Sequence, residues 1–244
     1  MREVVRANLV AMAGEVEPCG PVAGSGVLLD MIADQFVGRE FRGEERRLNL
    51  GCGRDLRRGW VNLDSAPRAL LEVPEGVEYV QFDLDDCGSA PLPFSEDHFD
   101  VVEASHLIEH VLFPLDVAQA LHRVSKAGCE WRIKCPHGAS DDAWGDLTHR
   151  RAWFPESFLY FGQPTYWRAD YGYRGDWKLD RVILRVSQEF VPQGVKPSQV
   201  LLQTRRLRNV VLEMEAVLSC VKPIRLMDRS QMDTIRHEIE VLGV

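Results

Sequence analysis

Leu48-Asn49-Leu50-Gly51-Cys52-Gly53 is the run whose reading decides the fold. Apolar residues lead into two glycines one residue apart. Glycine reaches backbone conformations closed to other residues, so the chain can turn tightly at the end of a strand and a ligand can lie against bare main chain. In open α/β sheets that place, past the carboxyl ends of the strands, is where ligands bind. A single G-x-G is also a common turn, so the neighbouring segments carry the argument. Trp60–Asp64 and Val77–Asp83 read as two further strands, each ending in an acid. Phe99–Ala104 and Cys129–Cys135 read as a fourth and a fifth. Pro114–Lys126 has proline at its start and Val117, Leu121 and Val124 on one face, which predicts a helix between the last two. Strands alternating with helices predict a mostly parallel sheet with helices on both faces.

The C-terminal third reads differently. Val182, Leu184 and Val186 alternate with Arg181, Ile183 and Arg185, so Trp177–Phe190 is expected to be a strand. Asn209–Val221 is expected to be another. With only a Pro- and Gly-containing connection between them, the two are expected as an antiparallel pair at one edge of the sheet. Asp228–Leu242 reads as a closing amphipathic helix with Met232, Ile235 and Ile239 inward. At the other end, residues 1–46 read as an N-terminal helical extension, with Ser25 capping a helix that carries Val27, Leu28, Met31, Ile32 and Phe36. The main domain is then expected over 47–244, with a loop and helix insertion at about 137–176.

Composition limits the function classes. The net charge is −8, whereas a nucleic-acid binder usually carries a basic footprint, so a long polyanionic partner is not expected. Arg205, Arg206 and Arg208 form the one small basic patch noted, read as a solvated strand end or turn. No apolar run is long enough for a membrane span, and the N-terminus mixes charges into its apolar positions, unlike a secretory signal. The expected location is therefore the cytoplasm, with no membrane partner. Six cysteines show no C-x-x-C pair and are expected as reduced thiols. Cys129, Cys135 and His137 lie near one another in sequence but offer three ligands at most, so no metal is expected.

Asp64 lies eleven residues past Gly53, where a carboxylate could accept both hydroxyls of a ribose. Asp83 could accept a hydrogen bond from an adenine amino group, with Leu84 covering the ring. Ala104-Ser105-His106 brings small and polar groups to the same crevice. Each acid alone reads equally as a cap or turn residue. Placed together at consecutive strand ends, they converge on one ligand.

From Leu48 to about Pro136 the chain resembles class I S-adenosylmethionine-dependent methyltransferases, in particular the subgroup reading L-N-L-G-C-G and then G-W-x-N-x-D. Here those motifs are Leu48–Gly53 and Gly59-Trp60-Val61-Asn62-Leu63-Asp64. Leu92-Pro93-Phe94-Ser95, Phe99-Asp100-Val101-Val102 and Ser105-His106-Leu107-Ile108-Glu109-His110 are similar to that family's fourth-strand region. Asp146–Arg151 and Phe154–Phe158 are similar to a loop and helix after its fifth strand. The resemblance implies a Rossmann-like three-layer α/β sandwich and S-adenosylmethionine as cofactor. It implies that Gly51 and Gly53 face the methionine end, Asp64 the ribose, and Asp83 with Leu84 the adenine. Asn49, Cys52, Ser65, Ala104 and His106 complete the expected cofactor set. Asn49 stands where the family usually has an acid, and Asp55 where a third glycine is frequent.

Methyl transfer from a sulfonium mainly needs the acceptor held in line, and positioning alone can lower a barrier by about 7–11 kcal/mol. A hydroxyl acceptor also wants a base, for which His149, in the loop over the expected pocket, and His106 are the candidates. His110 reads as a packed or capping histidine. The aromatic run Trp153, Phe154, Phe158, Tyr160, Phe161, Tyr166, Trp167, Tyr171 and Tyr173 reads mostly as packing, with one or two side chains left to roof an acceptor. The acceptor is expected to be a small or sugar-like molecule, methylated on oxygen or nitrogen. A nicotinamide-dependent oxidoreductase needs glycine where Leu56 stands. A cofactor-fold binding subunit without catalysis is the other alternative.

Overall fold

A computed structural model describes Leu9–Val10 and residues 45–191 and 196–242. The expected helix after Ser25 and most of the N-terminal extension lie outside these residues.

The first strand pairs of the sheet form where apolar residues are continuous. β2 (Arg47–Leu50) buries Leu48, Asn49 and Leu50, and β3 (Val61–Asp64) buries Val61, Asn62 and Leu63. Burial on both faces is what a central parallel strand requires. β4 (Glu78–Gln81), β5 (Phe99–Ser105) and β6 (Ser125–Pro136) complete the parallel block. α1 (Pro114–Val124) starts on proline, which presets the first turn, and buries Val117, Ala118, Leu121 and Val124. The chain enters β6 directly at Ser125, two residues before the expected helix end. No helix joins β2 to β3 or β3 to β4; turns make those crossings.

The strand order is β1-β9-β7-β8-β6-β5-β2-β3-β4. The chain steps outward from β2 through β3 to β4, then returns to place β5 on the other side of β2. The order therefore reverses between β2 and β5, with Leu50 level with Ala104. That reversal opens the crevice in which α/β proteins bind ligands. The expected Rossmann-like α/β architecture with a mostly parallel sheet and antiparallel strands is present.

β7 (Trp177–Ser187) and β8 (Val211–Cys220) are antiparallel, as expected. They differ from expectation in two ways: α3 (Pro197–Thr204) lies between them in sequence, and they are not the edge. β8 inserts between β7 and β6, and β9 lies beyond β7. The predicted closing helix over Asp228–Leu242 is incorrect: a short 3-10 turn at Arg229–Gln231 precedes β9 (Arg236–Leu242). The cause is visible in the pairing. Glu238 and Glu240 alternate with His237, Ile239 and Val241, and Glu240 meets Arg185 at 3.0 Å. β9 runs parallel to β7 and pairs on its far side with β1 (Leu9–Val10).

Residues 137–176 join β6 to β7 through α2 (Asp142–Gly145) and two 3-10 segments. Trp153, Phe158, Phe161, Tyr166 and Tyr173 are buried there, whereas Phe154, Tyr160 and Tyr171 are exposed. Trp131 of β6 stacks on Phe161 with centroids 5.2 Å apart. Most of the aromatic run thus packs this segment onto the sheet. Asp176, with no exposed surface, ties the segment down: Oδ1 accepts from the Gln163 backbone N–H, and the carboxylate pairs with the Arg225 guanidinium at 2.7 Å. Arg205 and Arg206 sit at the C-terminal end of α3, and Arg208 pairs with Asp141 at 2.6 Å.

Candidate functional site

Gly51 and Gly53 follow β2 with φ of +63° and +48°. Only glycine holds such values without strain, and at Gly51 a Cβ would also overlap the Leu107 side chain. At Gly53 a Cβ would meet nothing within 4 Å among the described residues. The loop is fixed from below. The Asn49 amide donates to the Asp55 carbonyl at 2.6 Å and to Asn62 Oδ1 at 3.1 Å. Asn62, fully buried, donates to the carbonyls of Arg57, Trp60 and Glu78 and accepts from the Arg57 N–H. Both N–H bonds of the Asn49 amide are therefore spent inside the protein, holding the loop. Asn62, quoted in the G-W-x-N-x-D motif without a role, is the hub that satisfies the backbone of this connection.

Asp64 joins the glycine loop to β3. Its Oδ2 accepts from the Gly53 N–H at 2.8 Å and its Oδ1 from the Ala66 N–H at 2.9 Å. A carboxylate has about four acceptor positions, so those two bonds leave others on each oxygen. Ser65 beside it is exposed, and its carbonyl accepts from Gln81. Cys52 is buried; burial, then the Asp64 charge, push its thiol up to about 11, which makes it unreactive.

Asp83 does not end the third strand as expected. β4 stops at Gln81, the Phe82 N–H bonds to the Asp64 carbonyl at 2.9 Å, and Asp83 caps the 3-10 turn Leu84–Gly88 by accepting from the Asp85 N–H. A short acid followed by acids competes for backbone N–H groups and so favours a cap over a strand. The Phe82–Asp64 backbone bond keeps the residue before Asp83 at the end of β3, and Leu84 after it is buried. Gly51 and Gly53 after β2 and Asp64 at the end of β3 thus lie at adjacent strand ends, with Asp83 two residues past the end of β4.

Across the reversal, Ala104 is buried at the end of β5 and His106 follows with φ of +51°. His106 Nε2 is 2.8 Å from Glu213 Oε2, and its Nδ1 is 3.4 Å from Glu109 Oε1. Its contacts with Glu109 and Glu213 raise its pKa to about 9, which favours the protonated ring at neutral pH. Glu213 comes from β8 and also meets Lys134 at 3.0 Å and Arg185 at 2.8 Å. Burial alone would raise its pKa, but His106 and Lys134 bring it down to about 2. A depressed carboxylate contributes stability above its unfolded pKa and loses it as pH falls through the folded value. Glu213→Gln is therefore expected to lower stability by on the order of 3 kcal/mol at pH 6, with the deficit shrinking between pH 4.5 and 2. Urea titrations across that range check it; a deficit independent of pH would contradict it.

His149 is nearly buried, with Nδ1 3.2 Å from the Ala143 carbonyl. Its ring meets the His110 ring edge-on, with centroids 4.7 Å apart. The structure brings His149 next to His110 and Glu109, the latter in direct contact with His106. The potential ligands Cys129, Cys135 and His137 are all buried, and burial raises the Cys135 thiol well above its usual range. Separately, a cavity of about 550 Å³ is lined by His137, Phe154, Leu184, Leu201, Arg205 and His237 among others; none of the expected cofactor residues lines it.

Glu213 and Lys134 were not legible as site residues, since nothing in the sequence ties β8 to the end of β5. Glu109 stood in plain view in Ser105–His110 but carried no signal of its burial.

Residues 48–130 match a methyltransferase-domain family. That match supports an enzyme of the methyltransferase kind, with S-adenosylmethionine as its cofactor. No curated protein sequence matches the chain. Among solved structures, an S-adenosylmethionine-dependent methyltransferase from Archaeoglobus fulgidus is 16% identical with a TM-score of 0.51, over 73% of this chain and 87% of that one. One from Mesorhizobium loti is also 16% identical, with a TM-score of 0.45, over 72% and 91%. At such identity the Archaeoglobus structure speaks for a shared fold.

Proposed function

We propose that the chain transfers the methyl group of S-adenosylmethionine to an oxygen or nitrogen of a small or sugar-like acceptor, as in the subgroup marked by Leu48–Gly53 and Gly59–Asp64. One observation carries this reading: the Asp64 carboxylate bonds the Gly53 N–H at 2.8 Å, at the point where the strand order reverses. That bond puts an anionic acceptor with unused lone pairs beside bare glycine backbone, which suits a ribose next to an amino-acid tail.

In this reading Asn49 and Asn62 hold the loop while Gly51, Cys52 and Gly53 present their backbone to the methionine end. Asp64 and Ser65 face the ribose, Asp83 and Leu84 the adenine, and Ala104 with His106 the methyl end. The bound cofactor supplies an activated methyl on a sulfonium, and the chain's own task is to orient the acceptor and manage its proton. His106, held by Glu213 at 2.8 Å, borders that end. His149, in the segment between β6 and β7 and beside His110, is the other candidate on the acceptor side. His149→Ala is expected to lower turnover by about 100-fold with S-adenosylmethionine affinity within about twofold. Steady-state kinetics with calorimetry test this, and an unchanged rate would remove His149 from the reaction. Calorimetry with S-adenosylmethionine, its demethylated product and NAD tests the cofactor itself; tight NAD binding alone would favour an oxidoreductase.

A further inference from the structure

The geometry points to a divalent metal site formed by Glu109, His110 and His149, of the kind that takes zinc. One ligand atom from each of these residues lies within 4.8 Å of the other two. Among the described residues this is the only such group of three or more.

The carboxylate is the decisive member. Glu109 is 2% exposed, and among the described residues neither oxygen has a hydrogen-bond partner. Among the described residues its one ion-pair contact is His106 Nδ1, 3.4 Å from Oε1. Burying a carboxylate without hydrogen bonds is unfavourable, so such groups are paired or coordinate a cation. Its oxygens lie toward two imidazoles, which as neutral rings are ligands.

The surrounding hydrogen bonds prepare both rings for that role. Thr148 Oγ1 donates its only proton to Asp146 Oδ1 at 2.6 Å, so at the 3.0 Å contact with His110 the ring Nδ1–H must donate to Thr148. His149 Nδ1 faces the Ala143 carbonyl at 3.2 Å and must likewise donate. Each neutral ring then keeps its lone pair on Nε2. A second bond that fixes tautomer and orientation is the usual support of a metal-bound histidine. The chain order is also suitable: Glu109 and His110 are adjacent after β5, and His149 sits in the segment that closes over them, tied back where the Arg150 N–H donates to the Glu109 carbonyl at 2.7 Å.

Two imidazoles and one carboxylate are a donor set for zinc, with ligands at about 2 Å and a fourth position open. Binding would draw the three atoms together, to roughly 3.3 Å apart. The open position would take water or, if the methyl-transfer reading holds, the hydroxyl of an acceptor, whose proton would then pass more readily to solvent water as the methyl arrives. His149 would in that case serve through the metal rather than as a base.

The test is a Zn2+ titration, by calorimetry, of the untagged full chain after treatment with a chelator, under reducing conditions. One Zn2+ per chain is expected. Glu109→Gln and His110→Ala should each weaken that binding at least about 100-fold, whereas His98→Ala, remote from the cluster, should not. Circular dichroism confirms that the variants fold; His110 is half-exposed, so its variant keeps the test open if Glu109→Gln does not fold. No Zn2+ uptake by the wild type, or uptake unchanged in both cluster variants, would overturn the inference. The titration needs no methyl donor, so a chain that binds S-adenosylmethionine but no Zn2+ rejects the metal alone, and the reverse result rejects the methyl-transfer reading alone.

Discussion

Asp64→Ala is expected to weaken S-adenosylmethionine binding by about 100- to 1000-fold. Two charge-assisted hydrogen bonds to ribose hydroxyls, each contributing about 1.5–3 kcal/mol, disappear together, and every 1.4 kcal/mol is tenfold in affinity. The same carboxylate accepts from the N–H groups of Gly53 and Ala66, so the glycine loop also loses its tie to β3. The two effects separate by measurement. Because these bonds are only partly buried, stability should fall by about 1–2 kcal/mol, seen by urea denaturation, while calorimetry reports the far larger affinity loss. Asp64→Asn retains one carbonyl acceptor and should fall between alanine and wild type. Wild-type affinity in the alanine variant would remove Asp64 from the ribose site and with it the main support for the methyl-transfer reading.

The largest expected effect on folding is at Asp176, far from that crevice. Its carboxylate has no exposed surface and receives the Arg225 guanidinium at 2.7 Å and 2.9 Å, the Arg225 N–H at 2.8 Å and the Gln163 N–H at 3.1 Å. Removing one partner of a buried pair leaves the other charge uncompensated, which typically costs about 3–5 kcal/mol. Asp176→Ala should therefore lose about that much, measured from the urea midpoint at constant slope. Arg225 keeps Asp233 at 2.7 Å, which limits the loss. Asp176→Ala combined with Arg225→Met should recover part of it, because the orphaned cation is gone. A loss under about 1 kcal/mol in the single variant would show that the pair contributes little.

The parallel half of the sheet was readable because its signals are local. Leu48–Gly53, Trp60–Asp64 and Phe99–Ala104 announce strand and turn within a few residues, and Pro114 announces α1. The closing strand was misread because Arg236–Leu242 supports both periods: Ile235 and Ile239 are four apart, as on a helix, yet His237, Ile239 and Val241 alternate with glutamates. Pairing with β7 decided it, and that partner lies about fifty residues earlier. Asp83 was misplaced by two residues because a short acid suits a strand end and a cap equally well. That the glycines and Asp64 lie side by side was legible from their spacing. The charge state of His106 was not, since it depends on Glu213, brought in by β8 from the far end of the chain. The burial of Glu109 was equally hidden, because adjacent residues give no sign of which carboxylate the fold encloses.

The insertion of β8 between β6 and β7 has a consequence for synthesis. As the chain emerges, β6 is made with its open edge turned toward a strand that does not yet exist, and β7 has no place in the sheet when it appears. The place between β6 and β7 is thus filled by a strand made after both. A ribosome stalled short of Val211 would hold a chain whose backbone N–H and C=O groups along β6 are bare, a template for pairing with another chain.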